Sequence, residues 1–588
     1  MKIHFTCKLE DGTVYDSSIG KEPLQFVIGE GDVSIKGLDQ AVIGMHQGET
    51  KSVIIPPDQA FGPRLEEKIH VIDRAQFPSN VQPAVGLKFE IRQENGGLDV
   101  IAVTDVSEST VTLDANHPLA GKDLRFEIKL LEDVTAQSLF SEEYYRTAVD
   151  LQEKGLIDDA IVQYQKTIGQ NPHFAAAYFN LGVIFQEKED LDKAIIYYEI
   201  AIGLNQEFVE AHHNLGIALK DKGLFDEAVL CFYRVLQLKP NHADAYYNLG
   251  NTLVAKGQFE DALKSYRRAV DIIPDHADAL WSIALLQLRS GDFENGWKGY
   301  EWRWKLKGVI DKRSFSQPLW DGSDIAGKTI LLYSEQGFGD TIQFIRYAPM
   351  VADLGANVIV ECQEELASLL RNIEGIHSVV TDQSQLTDFD IHSPLMSLPY
   401  IFGTRLETIP AIIPYISVSP PLVQEWHNRI LSGDSTIRIG LVWSGNPAKA
   451  TNRYRSCPLH FFGPIAGMNN VTLYSLQTGD SAQQAHEFRE NWNLVDYTHD
   501  IHDFLDTAAF IQNLDLIITV DTAVAHLAGA LGKRVWVLLP FVPEWRWMKD
   551  REDSPWYPTM RLFRQPASGD WQSVMGRIEE ALKKLVHL

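Results

Sequence analysis

The chain has few cysteines and no paired pattern among them. Cys7, Cys231, Cys362 and Cys457 lie far apart, with no Cys-x-x-Cys spacing. A disulfide framework and a structural zinc ribbon are therefore excluded, and a reducing compartment fits best. Long apolar runs are missing as well: no stretch of ~20 apolar residues is present to span a bilayer. The opening MKIHFTCKLEDG reads as a strand and not as a secretory signal, so a cytoplasmic protein is expected. Positive charge is in deficit, 53 Lys+Arg against 79 Asp+Glu for a net charge of −26. Non-specific binding to nucleic acid or anionic lipid is disfavoured by that balance. What is present is ordinary for globular protein, 45% hydrophobic and 22% charged. At 588 residues one core is too few, and several domains are expected.

The middle of the chain, 141–310, carries five copies of a 34-residue unit. Three are clear and contiguous, beginning at Ala175, Val209 and Ala243. In the copy from Ala243, Tyr246, Leu249 and Gly250 share one helical face. Ala262, Tyr266 and Ala269 lie on the next helix, and Pro274 closes the unit. Small residues at Gly250 and Ala262 let the two helices approach, with aromatics between them. This pattern resembles the tetratricopeptide repeat, a helix-pair stack that binds other polypeptides. The end copies are atypical, as caps and junctions are. Thr147 and Ala148 replace Leu-Gly in the first, and GWKGYEWRW is added in the last. Asn180, Asn214 and Asn248 recur at one repeat position, similar to the ladder of the O-linked N-acetylglucosamine transferases. Their amides suit a peptide backbone, and the alternative is a purely structural role within the repeat.

Residues 1–135 alternate short apolar runs with turn signals such as EDG, GEG and NGG, which predicts an all-β or α+β domain. The segments IHFTCKLEDGTVYDSS, PLQFVIGEGDVSIKGLDQAVIGMHQGE, IPPDQAFGP and LAGKDLRFEIKLLE resemble the FK506-binding-protein prolyl isomerases of the SlyD type. The resemblance implies peptidyl-prolyl cis-trans isomerase activity (EC 5.2.1.8) and an extra lobe at about 64–117 that holds unfolded chains. It assigns Phe5, Tyr15, Asp16, Leu24, Phe26, Val33, Ile35, Leu38, Phe61 and Phe126 to an apolar substrate pocket. Phe5 and Phe61 stand where Tyr is common. Loss of a hydroxyl at Phe61 removes a donor to the substrate carbonyl, about 1 kcal/mol, which implies weaker turnover and not its absence. The histidine-rich metal-binding tail of some SlyD proteins is missing, and no metal role follows.

From Lys328 the pattern becomes strands alternating with helices, in two series separated by a Pro-rich break between Pro410 and Pro421. Two doubly wound α/β domains are expected, 319–430 and 437–588, with ligands at the carboxyl ends of their strands. Three polar motifs fall there. SEQGFGD places Asp340 at a helix start, where helix capping is the alternative to chemistry. WSGNPAKATNRYRS supplies Arg453 and Arg455, suited to a diphosphate or simply to solvent. DTAVAHLAGALG offers Asp521, Thr522 and Ala523 at a helix N-terminus, an anion site, with His526 one turn inside as a ligand contact or a core residue.

Together the three motifs resemble glycosyltransferase family 9, the heptosyltransferases of GT-B fold. The resemblance implies an inverting glycosyltransferase (EC 2.4) that uses a nucleotide sugar as donor, with no permanently bound cofactor and no metal. It makes Asp340 the catalytic base and Arg453, Arg455, Asp521, Thr522, Ala523 and His526 the donor site. Ala523 replaces the family's Gly, and Arg455 stands where Lys is common. In PEWRWMKDREDSPWYP, stacking on a nucleobase and inter-domain packing are both open for Trp545 and Trp547. The expected protein is a bifunctional isomerase/chaperone and repeat-directed glycosyltransferase acting on a protein or glycan acceptor. The alternative is an isomerase with a binding scaffold and an inactive transferase-like half.

Overall fold

The computed structural model describes the chain except residues 27–34, 46, 78–80, 93–97, 133–135, 307, 309–312, 314, 383, 385, 431–435, 447–451, 489–491, 493 and 587–588. It forms two compact units, Met1–Gln206 and Glu207–Leu588. Among the described residues no helix is long and apolar enough to cross a membrane. All four cysteines are buried, and none forms a disulfide.

In the first unit, strands β1 (Lys2–Lys8), β2 (Val14–Ser17), β3 (Leu24–Gln25), β4 (Thr50–Ile55) and β9 (Leu124–Glu132) form an antiparallel sheet of order β2-β1-β9-β4, with β3 beside β1. The period-2 alternation of β9 decides which face is the core. Leu124, Phe126, Ile128 and Leu130 are fully buried, and helix α1 (Lys36–Ala41) adds Leu38 to the same cluster. Between β4 and β9 the chain leaves to make a lobe of four antiparallel strands, β5 (Ile69–Asp73), β6 (Lys88–Arg92), β7 (Leu98–Val106) and β8 (Thr110–Asp114). The lobe has its own small core of Phe77, Val103 and Val111. Its neck is closed by polar bonds. Arg64 pairs with Asp114 at 2.6 Å, and the Asn116 amide bonds both the N–H and the C=O of Leu65, each at 2.9 Å. Helices α2 (Ala136–Glu153), α3 (Ile157–Gln170), α4 (Ala175–Glu187) and α5 (Leu191–Leu204) complete the unit as two helix pairs.

The second unit opens with α6 (Val209–Lys222), α7 (Phe225–Leu238), α8 (Ala243–Ala255), α9 (Phe259–Ile272), α10 (Ala277–Ser290) and α11 (Phe293–Tyr300). One contact recurs inside the helix pairs of both units. A methyl group added to Gly182, Gly216 or Gly250 would sit 2.5, 2.9 or 2.4 Å from the ring of Tyr198, Phe232 or Tyr266. The Leu-Gly signature thus marks where an aromatic of one helix lies against the bare backbone of the other.

Two parallel sheets follow. Strands β10 (Thr329–Tyr333), β11 (Asn357–Glu361), β12 (Ile376–Val380) and β13 (Ile391–Pro394) take the order β12-β11-β10-β13. Strands β14 (Ile437–Val442), β15 (Val471–Ser475), β16 (Leu494–Asp496), β17 (Leu516–Val520), β18 (Val535–Leu539) and β19 (Met560–Arg564) take the order β16-β15-β14-β17-β18-β19. In both, the strand order reverses beside the first strand, which opens a crevice at the strands' carboxyl ends. A single apolar core joins both sheets to the last repeat. Trp297, 2% exposed, meets Phe344, Trp545 and Trp556 edge-on at 5.9, 5.2 and 6.3 Å.

Candidate functional site

Each unit gathers one set of the residues singled out above. In the first, Phe126 (β9), Phe26 and Leu38 are buried at the base of the apolar cluster, with Phe5, Leu24, Ile35 and Phe61 packed against it and partly exposed. The Phe5 and Phe126 rings lie 5.8 Å apart. The cluster thus has a buried floor and an apolar rim. Tyr15 and Asp16 lie outside it, exposed on β2. Tyr15 is 49% accessible, and Asp16 accepts from the Ser17 N–H and pairs with Lys21 at 3.5 Å. Val33 lies outside the described residues. A residue that sequence reasoning missed is His117, whose ring stacks on Phe61 at 4.0 Å with 5° between planes. Burial holds its pKa below the ordinary histidine value. It stands in NHPLAG at the return of the lobe, where nothing local names Phe61 as its partner.

In the repeats, the Asn180 amide donates to the hydroxyls of Tyr145 and Tyr164, at 3.2 and 2.9 Å. Asn248 lies 3.4 Å from the His213 ring. Asn214 is half-buried on α6.

The second unit holds a cavity of about 790 Å³ where the carboxyl ends of the two parallel sheets face each other. Asp340, Arg455, Asp521, Thr522, Ala523 and His526 all line it. The Arg453 side chain lies outside the described residues. Three loops position this set. After β10, Gly337 starts helix α12 (Phe338–Phe344), and Asp340 reaches back to accept from the Gly337 N–H at 3.1 Å. Asp340 is therefore both a helix cap and a wall of the cavity. After β17, Thr522 precedes the helix Ala523–Ala530, whose N-terminus opens on the same space. The two loops touch: a methyl on Gly339 would lie 2.9 Å from His526 Cδ2. Glycine here is demanded by close approach.

Electrostatics bind the set together. Arg546 donates to Asp340 at 2.5 Å, to Gln343 at 2.9 Å and to Glu544. Arg455 stands 3.7 Å from Glu544. Burial raises the Asp521 carboxyl above the ordinary range, against the opposing pull of Arg546 and Arg455. Burial also drives the His526 pKa well below 6.5, assisted by Arg546 and Arg346, so the imidazole is neutral. Behind it, Tyr415 donates to the Ile342 carbonyl at 2.8 Å and accepts from Arg346 at 3.0 Å. The Tyr557 hydroxyl lies 3.4 Å from that of Tyr415 and 3.0 Å from His526 Nδ1, and so fixes the plane of the imidazole.

Trp547 stacks on His526 at 5.4 Å and is 1% exposed, and Trp545 packs among the aromatics of the junction. Packing is the observed role of both rings. Arg546 between them was missed, although its loop was singled out. So was Arg303 from the last repeat's EWRW tail. Fully buried, Arg303 grips Glu335 of the SEQGFGD loop at 3.1 and 3.2 Å, Glu301 at 2.6 Å and Ser397 at 2.7 Å. Burial works against its charge, but Glu335 and Glu301 outweigh that and raise its pKa.

A family model described as FKBP-type peptidyl-prolyl cis-trans isomerase matches residues 1–131. Tetratricopeptide repeat models match 145–207, 218–257 and 243–276. The FKBP-type isomerase SlyD of Treponema pallidum (strain Nichols) is 40% identical over 128 residues, covering 22% of this chain and 72% of that protein. A short-type peptidyl-prolyl cis-trans isomerase of Methanocaldococcus jannaschii is 38% identical over 143 residues, 22% of this chain and 87% of that one. Protein FlbA of Caulobacter vibrioides is 25% identical over 289 residues. That match covers 45% of this chain, which spans only 48% of that protein.

Proposed function

Because the chain belongs, through residues 1–131, to the FKBP-type peptidyl-prolyl cis-trans isomerase family, we propose that it couples isomerisation and holding of polypeptides to sugar transfer. The repeats bring a protein acceptor, and the two parallel-sheet domains act as a GT-B glycosyltransferase. Prolyl isomerisation faces a barrier of ~18–20 kcal/mol set by amide resonance. An apolar cradle of Phe5, Phe26, Phe61 and Phe126 favours the twisted amide, which has lost its charge separation, without any proton transfer.

For transfer, Asp340 takes the proton of the acceptor hydroxyl. The hydroxyl oxygen forms a bond to the anomeric carbon of the donor. The bond from that carbon to the phosphate oxygen breaks, and the nucleotide leaves with the electron pair. Arg455 and the helix N-terminus at Thr522–Ala523 stabilise the leaving phosphates. Neutral His526 braces the Gly339 backbone against the donor loop. One observation carries this reading: residues from three distant loops converge on one cavity at the strand ends of two facing sheets. The Asp340–Arg546 ion pair favours a second reading, a transferase fold without turnover, because it occupies the base.

A thermal-shift screen of sugar nucleotides on the full chain separates the two. The active reading expects one donor to stabilise by about 2.7 kcal/mol at a hundredfold excess over Kd, and Arg455→Gln to abolish the shift. If no sugar nucleotide stabilises the wild type, the transferase reading is wrong.

A further inference from the structure

A second cavity, of about 670 Å³, adjoins the donor cavity and shares Gln336, Gly337, Asp340, Glu544 and Arg546 with it. We propose that it is the acceptor subsite, and that it takes a polypeptide segment whose acceptor hydroxyl residue lies beside an Asp or Glu, which Arg289 reads. The proposal rests on the transferase reading for its chemistry, but its binding prediction stands apart from donor use.

Three observations lead there. Asp340 lies at the junction of the two cavities, so a base there faces a hydroxyl on one side and the donor's anomeric carbon on the other, as an in-line displacement requires. The far wall of the second cavity is made by the repeats, through Phe259 of α9 and Trp281 and Leu285 of α10. A helix-pair stack presenting an apolar, aromatic wall is a polypeptide surface.

The third observation is Arg289, also on that wall. It is 8% exposed, and its guanidinium lies 3.9 Å over the Phe259 ring. Its Nη1 donates only to the Pro543 carbonyl at 2.8 Å, its Nε has no acceptor, and no carboxylate pairs with it among the described residues. Burial and the nearby Arg564 push its pKa down to about 10, against the opposing pull of Asp550. A desolvated cation with no carboxylate in hydrogen-bond contact is costly unless a ligand supplies one. The guanidinium on this wall therefore calls for an anionic group, as an acidic side chain of a bound segment is.

The test uses the full chain and two fluorescein-labelled peptides that differ only in Glu or Gln beside a serine, read by anisotropy. The Glu peptide is expected to bind at least tenfold more tightly. Arg289→Gln removes the preference while leaving Gln-peptide affinity within twofold. Arg289→Lys, which keeps the charge, retains most of it and covers the case in which the glutamine variant folds poorly. Leu285→Trp, which fills the cavity, weakens both peptides. Equal binding of the two peptides by wild type, a preference that survives Arg289→Gln, or displacement of the peptide by a neutral oligosaccharide would overturn the proposal. In each variant the sugar-nucleotide thermal shift is measured in parallel. Loss of peptide preference with the shift intact counts against the subsite alone.

Discussion

At the level of single residues, close approach and buried charge decide what the sites can tolerate. Gly339 lies against His526 from the opposing domain, and both belong to helices that meet across the crevice. Gly339→Ala drives a methyl to 2.9 Å from the ring, an overpacking that costs about 1–3 kcal/mol. The expected result is a lower denaturation midpoint together with a weaker sugar-nucleotide shift. Phe61 makes the opposite case, because it lacks a group instead of crowding one. Phe61→Tyr supplies a hydroxyl at the rim of the pocket, and a net gain of about 1 kcal/mol predicts roughly fivefold faster isomerisation of a proline peptide in a protease-coupled assay. Unchanged turnover would mean that the hydroxyl does not reach the substrate. Motif residues such as Asp340 and His526 were legible in the sequence because glycine-bounded loops announce them. Arg546 and His117 were not. Each acts through a partner far along the chain, and nothing local to PEWRW or NHPLAG names Asp340 or Phe61 as that partner.

Among elements, the repeats carry more than a binding surface. The 34-residue period is a local property, set by helix geometry and the Gly-aromatic contact within each pair, and so it was readable without a structure. The docking of the last repeat was legible only as an anomaly, the added GWKGYEWRW. Its Arg303 fastens the loop that holds Asp340. Arg303→Met leaves Glu335 buried without a partner, which costs about 3–5 kcal/mol. A fall of that size in unfolding free energy, with loss of the donor-induced shift, is expected. A variant that keeps both would show that the repeat tail does not brace the loop.

The repeats also impose a pH dependence. His213 packs on His242 with ring centroids 5.0 Å apart. Burial, then repulsion from His242, lowers the His213 pKa from 6.5 to about 4. Because the folded value is depressed, the unfolded chain binds the proton more readily. The stability contributed is complete above pH 6.5 and is lost as the pH falls toward 4, on the order of 3 kcal/mol. Denaturant titrations across that window are expected to show the decline, and His213→Gln to flatten it.

For the whole molecule, two compact units divide the chain within the repeat array and not at its ends. The fold classes of the flanking parts were legible from alternation and strand-helix succession. The division inside the array was not, because a solenoid shows no break in its period where its neighbours take hold of it. In the proposed function the C-terminal half transfers a sugar, with Asp340 as base, onto polypeptide acceptors recruited by the repeats. The most direct test is to incubate the full chain with the stabilising sugar nucleotide and a proteome-derived peptide mixture, and to follow mass additions of one sugar by mass spectrometry. Modified Ser, Thr or Tyr peptides are expected with the wild type and none with Asp340→Asn, while proline isomerisation is equal in both. Sugar addition that persists at wild-type rate in Asp340→Asn would contradict it.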